Sequence, residues 1–341
     1  MLRGRPLCLA GMILEPELAI IDAHHHLFDT TPLLPGAPGY LLPDFLQDVA
    51  MGHRIEASVL VEVAAFYRAS GPTEFRPVGE VETVSNIAAN CAGRRGTRVA
   101  AGIVGFADLR LGANVRPVLE ALLTAGGGRL HGVRYITASD PDPAINRAGR
   151  PAGLMADSDF RAGFAQLAPL GLSFDAWLHQ PQLPELIALA QRFPDTTIVV
   201  DHLGGPLRIG AYSSRRDEAY ADWRAAIVRL AKLPNVVMKL GGLGMRFFGW
   251  PVPVAATSAE SGAVAGFLAQ QWRPWVEPCI EAFGVRRCLF ESNFPVDKVH
   301  CNYADLWNAY KTITKGCSPS DKADLYRNTA ARVYRLAAAS S

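Results

Sequence analysis

Apolar and polar positions along this chain follow two periods that alternate, and the alternation repeats. Short runs rich in β-branched residues fall at about 19–23, 58–63, 98–106, 131–136, 172–179, 197–202, 235–240 and 287–293. They are short for helices, and runs such as 58–63 are apolar on both faces, as buried parallel strands are. Between them lie stretches with apolar residues at helical spacing: 44–53, 78–92, 114–125, 157–170, 184–193, 217–232 and 263–283. Two more, 303–315 and 320–336, close the chain. Pro274 and Pro278 predict a break in the helix over 263–283. Strand–helix alternation predicts a parallel sheet, and eight such units favour a single (β/α)8 TIM barrel over an open doubly wound sheet. Residues 1–18 read as an N-terminal leader and 19–341 as one barrel domain. The longest connection, 241–261, follows the seventh strand and carries Met245, Phe247, Phe248 and Trp250. An apolar loop of that length reads as a lid, or as packing against helices or another subunit.

The polar residues collect where strands run into helices, which is the end where barrels of this kind build their sites. The first run ends in Asp22-Ala23-His24-His25-His26. Alternation puts His24 and His26 on one face and His25 on the other. Two imidazoles on one face are half of a metal site, or a polar cradle for an anionic or carbonyl ligand. With His202 they form a set for a divalent ion, zinc first among several that suit imidazole. His179 reads as a fourth ligand or as a donor to a substrate carbonyl. Arg134 needs an anionic partner: a substrate carboxylate, or an ion pair with Asp175 or Asp201. Lys239 has the same two readings. Glu62 reads as a partner for Lys239 or a metal ligand. Asp201, next to His202, is expected on the opposite face in a structural role, and His53, His131 and His300 read as peripheral.

Hydrophobic residues make up 49% and charged residues 19% of the 341, ample for one large core. The net charge of +2 and the lack of Lys/Arg runs argue against nucleic acid and for a small-molecule substrate. The six cysteines show no C-x-x-C spacing and read as reduced thiols. The apolar run after Arg3 and Arg5 is short and broken by Pro6 and Gly11, so it imitates a signal peptide poorly. No run approaches a membrane span, and the cytoplasm is the default expectation. Self-association is left open.

Five segments occur in order: Asp22-Ala23-His24-His25-His26-Leu27-Phe28, Gly132-Val133-Arg134-Tyr135, Val200-Asp201-His202-Leu203-Gly204-Gly205-Pro206, Val237-Met238-Lys239-Leu240-Gly241-Gly242-Leu243 and Phe290-Glu291-Ser292-Asn293-Phe294-Pro295-Val296. From about Ile20 to Leu336 the chain resembles the amidohydrolase superfamily, in the branch of TIM-barrel hydrolases that includes sugar lactonases and pyrone-dicarboxylate lactonase. The resemblance implies that His24, His26 and His202 line the site, joined by His179. It also implies an aspartate at the end of the final strand to handle the proton of the attacking water. Asn293 stands there instead, and an amide cannot act as a carboxylate base. Glu291 or Asp297 could substitute, and some members of the branch work without a metal. The expected activity is hydrolysis of a lactone of a small, polar, carboxylate-bearing substrate, with Arg134 and Lys239 holding the carboxylate. The rivals are a metal-dependent decarboxylase of the same superfamily and a non-catalytic ligand-binding barrel.

Overall fold

In the computed structural model, which describes residues 12–91, 96–146, 149–251 and 263–337, each apolar run becomes a strand of one sheet. The strands are β1 (Ile20–His25), β2 (Ile55–Val61), β3 (Arg98–Gly105), β4 (Leu130–Ile136), β5 (Ser173–Trp177), β6 (Ile198–Val200), β7 (Val236–Leu240) and β8 (Cys288–Phe290). They lie side by side in chain order, and every pair is parallel. The seam between β8 and β1 is drawn together by a parallel bridge between His25 and Phe294. Around it, Asn293 N donates to His24 O and His26 N to Phe294 O, both at 2.8 Å. The result is a (β/α)8 barrel whose closing stitches sit beside its histidines.

The helices α1 (Leu42–Val49), α2 (Val78–Cys91), α3 (Arg116–Gly126), α4 (Ser158–Phe164), α5 (Leu183–Arg192), α6 (Arg216–Leu230), α7 (Ala263–Phe283) and α8 (Tyr303–Ile313) wrap the sheet. The expected break in α7 does not occur, although Pro274 and Pro278 are both inside it. Pro278 lacks the N–H that would have claimed the carbonyl four residues back. That carbonyl, Pro274 O, instead accepts from Tyr220 Oη at 2.9 Å. Burial of Trp272, Val276 and Cys279 on the same helix, at roughly 1.5–3 kcal/mol for a large apolar side chain, offsets a helix-interior proline's roughly 3 kcal/mol. The closing segment, 319–333, is α-helical at both ends with a π turn at Asp324–Asn328 between them.

One apolar layer fills the space between sheet and helices. A smaller one fills the barrel's interior, with Ile21, Ala23, Val59, Val61, Val237 and Leu289, and Tyr334 joins it from beyond the closing helix. The β1 register shifts between Asp22 and His25. Ala23 and His24 therefore both turn inward, while Asp22 turns out to Ser292 Oγ (2.6 Å) and Tyr303 Oη (2.9 Å). Among the described residues no helix is long and apolar enough to cross a membrane. Residues 1–11 of the segment expected as a leader, and residues 252–261 of the loop expected as a lid, lie outside the described residues.

Candidate active site

Three imidazoles gather at the C-terminal end of the barrel, all buried. The rings of His24 and His26 are edge to face with centroids 4.7 Å apart, and His202 lies 4.8 Å from His24. His24 Nε2 and His26 Nε2 are 3.1 Å apart. His26 is anchored from behind, where Nδ1–H donates to Val61 O at 2.8 Å. His202 is anchored likewise, Nδ1–H donating to Glu291 Oε1 at 2.7 Å. Its Nε2 is buried with no partner among the described residues. An imidazole held at Nδ1 by a carbonyl or carboxylate, with Nε2 left over, is the usual preparation of a metal-binding histidine. Two ligand nitrogens about 2.0–2.1 Å from one ion stand about 3.0–3.4 Å apart, so the His24–His26 spacing fits a shared cation. That pair thus fits a divalent ion, whereas, among the described residues, the three whose ligand atoms all lie within 4.8 Å of one another are His24, Asp201 and His202, without His26. Burial, joined by the nearby charges of Lys239 and Arg134 respectively, holds His24 and His26 well below the ordinary histidine range. Both rings are therefore neutral.

His25 faces the other way, as alternation predicts, stacked on Phe45 of α1 at 3.9 Å. His179 follows β5 and packs against Trp177 (5.0 Å) and Phe247 (5.5 Å). Its Nδ1 is buried without a partner among the described residues. Burial lowers its pKa to about 4, so it too is neutral at pH 7. Phe247 comes from the loop after β7, so the described part of that loop reaches the site's edge.

Behind the His24 ring lies a layer of buried charge. Lys239 Nζ sits 2.8 Å from Asp175 Oδ2, 3.0 Å from Asp201 Oδ1 and 3.3 Å from His24 Nδ1. Glu291 Oε2 is 2.9 Å from the same His24 nitrogen. Desolvation alone would lower the lysine's pKa, but Asp175 and Asp201 outweigh it and raise it well above the ordinary value. Tyr334 donates to Asp175 Oδ2 at 2.7 Å, sealing the layer from below. Gly241 and Gly242 pack directly on this layer: a Cβ would come within 2.3 Å of Glu291 Cγ and 2.2 Å of His202 Nδ1.

The ion pair of Lys239 with Asp175 and Asp201 is one the sequence suggests, whereas that of Arg134 with Glu62 is not. Arg134 is held by Glu62, with Nε donating to Oε1 at 2.8 Å and a second nitrogen donating to the Glu62 carbonyl. Lys239 takes Asp175 and Asp201. Asp201 does not face away from His202 but enters the interior with it, and one ligand atom each from His24, Asp201 and His202 lie within 4.8 Å of one another. The reason is local: His202 has φ +54°, so strand alternation stops at Asp201 and two consecutive side chains turn inward. Asn293, also left-handed at φ +53°, donates from its amide to Asp297 Oδ1 at 2.8 Å. The other Asp297 oxygen accepts from Gly244 N at 2.8 Å. Burial pushes this carboxyl up to about 7. Asp297 therefore ties the start of the loop after β7 to the end of β8.

Fold and site together define a parallel barrel with a histidine centre at the carboxyl ends of its strands. The chain belongs to the amidohydrolase family, whose model matches residues 21–336. It is 33% identical over 337 residues to an uncharacterized protein of Sinorhizobium fredii, covering 94% of this chain and 99% of that one. It is 27% identical over 325 residues to an L-fucono-1,5-lactonase of Burkholderia multivorans, covering 93% and 96%. Among solved structures it resembles a zinc-bound amidohydrolase of Burkholderia multivorans, with 26% identity, a TM-score of 0.68 and coverage of 94% and 100%.

Proposed function

We propose that the protein is a hydrolase that opens a lactone of a small, polar, carboxylate-bearing substrate by water attack. The observation that carries this reading is the set of three buried, neutral or back-anchored imidazoles at the end of the barrel where family sites lie. The L-fucono-1,5-lactonase relative supports the lactone, and the zinc-bound relative supports the ion. His24, His26 and His202 would hold a divalent ion, zinc first, which when bound supplies Lewis-acid polarisation of the carbonyl and acidifies water. His179, neutral and with an unpartnered nitrogen, is assigned the proton of the attacking water. Asn293 cannot take that proton, and its amide serves to hold Asp297. Arg134 is steadied by Glu62 and is assigned the substrate carboxylate. Lys239 holds the carboxylates behind the histidines. The aromatic edge of Trp177 and Phe247 limits the water around the reacting ester.

The test is metal content of the purified protein without added metal, followed by assays on a panel of sugar-acid lactones before and after chelation. About one zinc or manganese per chain, with ring opening lost on chelation and restored by metal, is expected. No ring opening across the panel by metal-loaded protein would overturn the hydrolase reading. Release of carbon dioxide from an aromatic or enoic acid would replace it with a decarboxylase.

A further inference from the structure

One peptide group at the end of β2 is held from both sides. The Glu62 carbonyl accepts from a terminal nitrogen of Arg134, and the next N–H along the chain, that of Val63, donates to Glu80 Oε1 at 2.8 Å. The Glu62 side chain repeats the first contact, its Oε1 accepting from Arg134 Nε at 2.8 Å. Its Oε2 accepts from Ala64 N at 3.1 Å. Glu80 Oε1 accepts a second, longer bond from Ala65 N at 3.4 Å. Glu80 itself is buried in the first turn of α2. It comes this close because Gly79 lets the start of the helix press on the turn. A Cβ there would stand 2.6 Å from Phe66 O and 2.7 Å from Arg68 N.

The turn needs holding. Ala64 and Phe66 have φ +56° and +54°, a strain for non-glycine residues that persists only where the surroundings fix it. Thr31, from the loop after β1, donates to Val63 O. Glu80 supplies the hold that reaches Arg134. Its Oε2 has no partner among the described residues. Burial, with the charge of Glu62 beside it, holds this carboxyl well above the ordinary range. Glu80 is thus a neutral acid that offers its other oxygen as an acceptor, and Glu62 and Arg134 remain a one-to-one ion pair.

We propose that Glu80 is a positioning residue for Arg134: through the Glu62–Val63 peptide it sets the direction in which the guanidinium is presented to a substrate carboxylate. This rests on the carboxylate assignment made above. Glu62 occupies the guanidinium edge formed by Nε and one terminal nitrogen. The edge formed by the two terminal nitrogens is the one left for a carboxylate, which takes it with two parallel hydrogen bonds. Such a match tolerates little rotation. Both hydrogen bonds that fix the guanidinium among the described residues come from Glu62. A shift of the Glu62–Val63 peptide therefore turns the free edge.

The experiment follows the Arg134 Nε–H signal by 15N NMR, assigned by its loss in Arg134→Lys. In Glu80→Gln the amide oxygen still accepts from Val63 N, so the signal and its slow exchange with water should persist. In Glu80→Leu exchange should quicken about tenfold, the scale of one lost hydrogen bond. Should that variant fail to fold, Glu80→Asp, whose carboxyl is one methylene short, carries the same test. Val84→Ala, in the buried face of the same helix, should lower the Tm and leave the signal as it is. In kinetics, Glu80→Leu should raise KM about tenfold for a lactone bearing a free carboxylate, with kcat within about twofold. A lactone with a carboxamide in that place should show no change. Unchanged Nε–H exchange in Glu80→Leu or Glu80→Asp would overturn the proposal, as would loss of the signal in Glu80→Gln or an equal response in Val84→Ala. A KM rise as large for the carboxamide would overturn it too, because Glu80 would then act on the turn and not through Arg134. The Nε–H response without any lactone opening would sustain this inference and remove only the hydrolase reading.

Discussion

Lysine meets histidine twice in the interior of this molecule, at opposite ends of the barrel, and the two meetings are resolved differently. Below the sheet, in the segments before β1 and β2, Lys311 Nζ donates to Leu14 O and Glu15 O at 2.8 Å and to His53 Nδ1 at 2.9 Å. His53 Nε2–H donates to Ala304 O at 3.1 Å. The ammonium's three donors and both imidazole nitrogens are thus matched. Above, Lys239 meets His24 among three carboxylates, and three carboxylate oxygens, both of Asp201 and Oε2 of Glu291, remain without hydrogen-bond partners among the described residues, as do His179 Nδ1 and His202 Nε2. The lower cluster has one proton pattern and pins the N-terminal segment to α8. The upper one has more acceptors than protons, and so has somewhere for a cation or a proton to go. Buried polar groups without partners are uncommon and costly, and several of them fall at the centre proposed to do the chemistry.

The sharpest way to break that contrast is to remove one imidazole from each cluster. His202→Ala is expected to lower kcat/KM by about a thousandfold or more, the scale of losing a contact at the reacting centre. His53→Ala should leave kcat/KM within about twofold and cost roughly 1–2 kcal/mol of stability. Comparable kinetic losses in the two would erase the distinction. Replacing the lysines comes next. Lys239→Met leaves Asp175 and Asp201 buried without their cation and should cost roughly 3–5 kcal/mol in denaturant unfolding. Lys311→Met strips a donor from two carbonyls and should cost roughly 1–3 kcal/mol.

Much of this was legible from residue order. Strand runs such as 59–61 and 236–238 are apolar on both faces, and a run buried on both faces has few other homes. His24 and His26 declare themselves because a period of two survives the register shift just before them. Asp201 was misplaced because one left-handed residue, His202, ends the alternation, and a non-glycine at positive φ leaves no signature in the sequence. The Lys239 pair with Asp175 and Asp201 was legible, but the partner of Arg134 was not. Whether Arg134 meets Glu62 or Asp175 depends on how neighbouring strands are staggered around the barrel, a property of the closed sheet rather than of any one strand. The intact α7 was hidden for a similar reason, since the group that takes up the spare carbonyl, Tyr220, lies on another helix. The surplus of acceptors around His24 is likewise visible only once five strands converge.

Asn293 sharpens the comparison from within the upper end, because its pair with Asp297 is fully matched. Asn293→Asp would set a second carboxylate 2.8 Å from Asp297 Oδ1 in place of a donor. Two such groups cannot both ionise. The variant should lose on the order of 1–3 kcal/mol at pH 8 and recover part of it near pH 5, where one proton can be shared. It should not gain lactone turnover. A gain would move Asn293 from holding Asp297 to the reaction itself.

The smallest effect separates the two lysines by sign. Burial lowers the Lys311 pKa from 10.5 to about 8, because its acceptors are mostly neutral. Between those values the unfolded chain holds more protons at this site than the folded one, so stability rises with pH across that window. Below about pH 8 both states are protonated and the contribution is flat. Lys239 runs the other way: its pKa is raised, so its contribution is complete below 10.5 and declines only as pH climbs through the higher folded value. Urea unfolding at pH 7, 8 and 9 should therefore show wild type gaining on Lys311→Met above pH 8. The gain cannot exceed about 1.4 kcal/mol per pH unit, and solvent screening brings it below that. Wild type should keep a constant lead over Lys239→Met across the same range. A lead over Lys239→Met that grew from pH 7 to 9 would mean that the upper ammonium is no better compensated than the lower one, and the contrast between the two clusters would then rest on geometry alone.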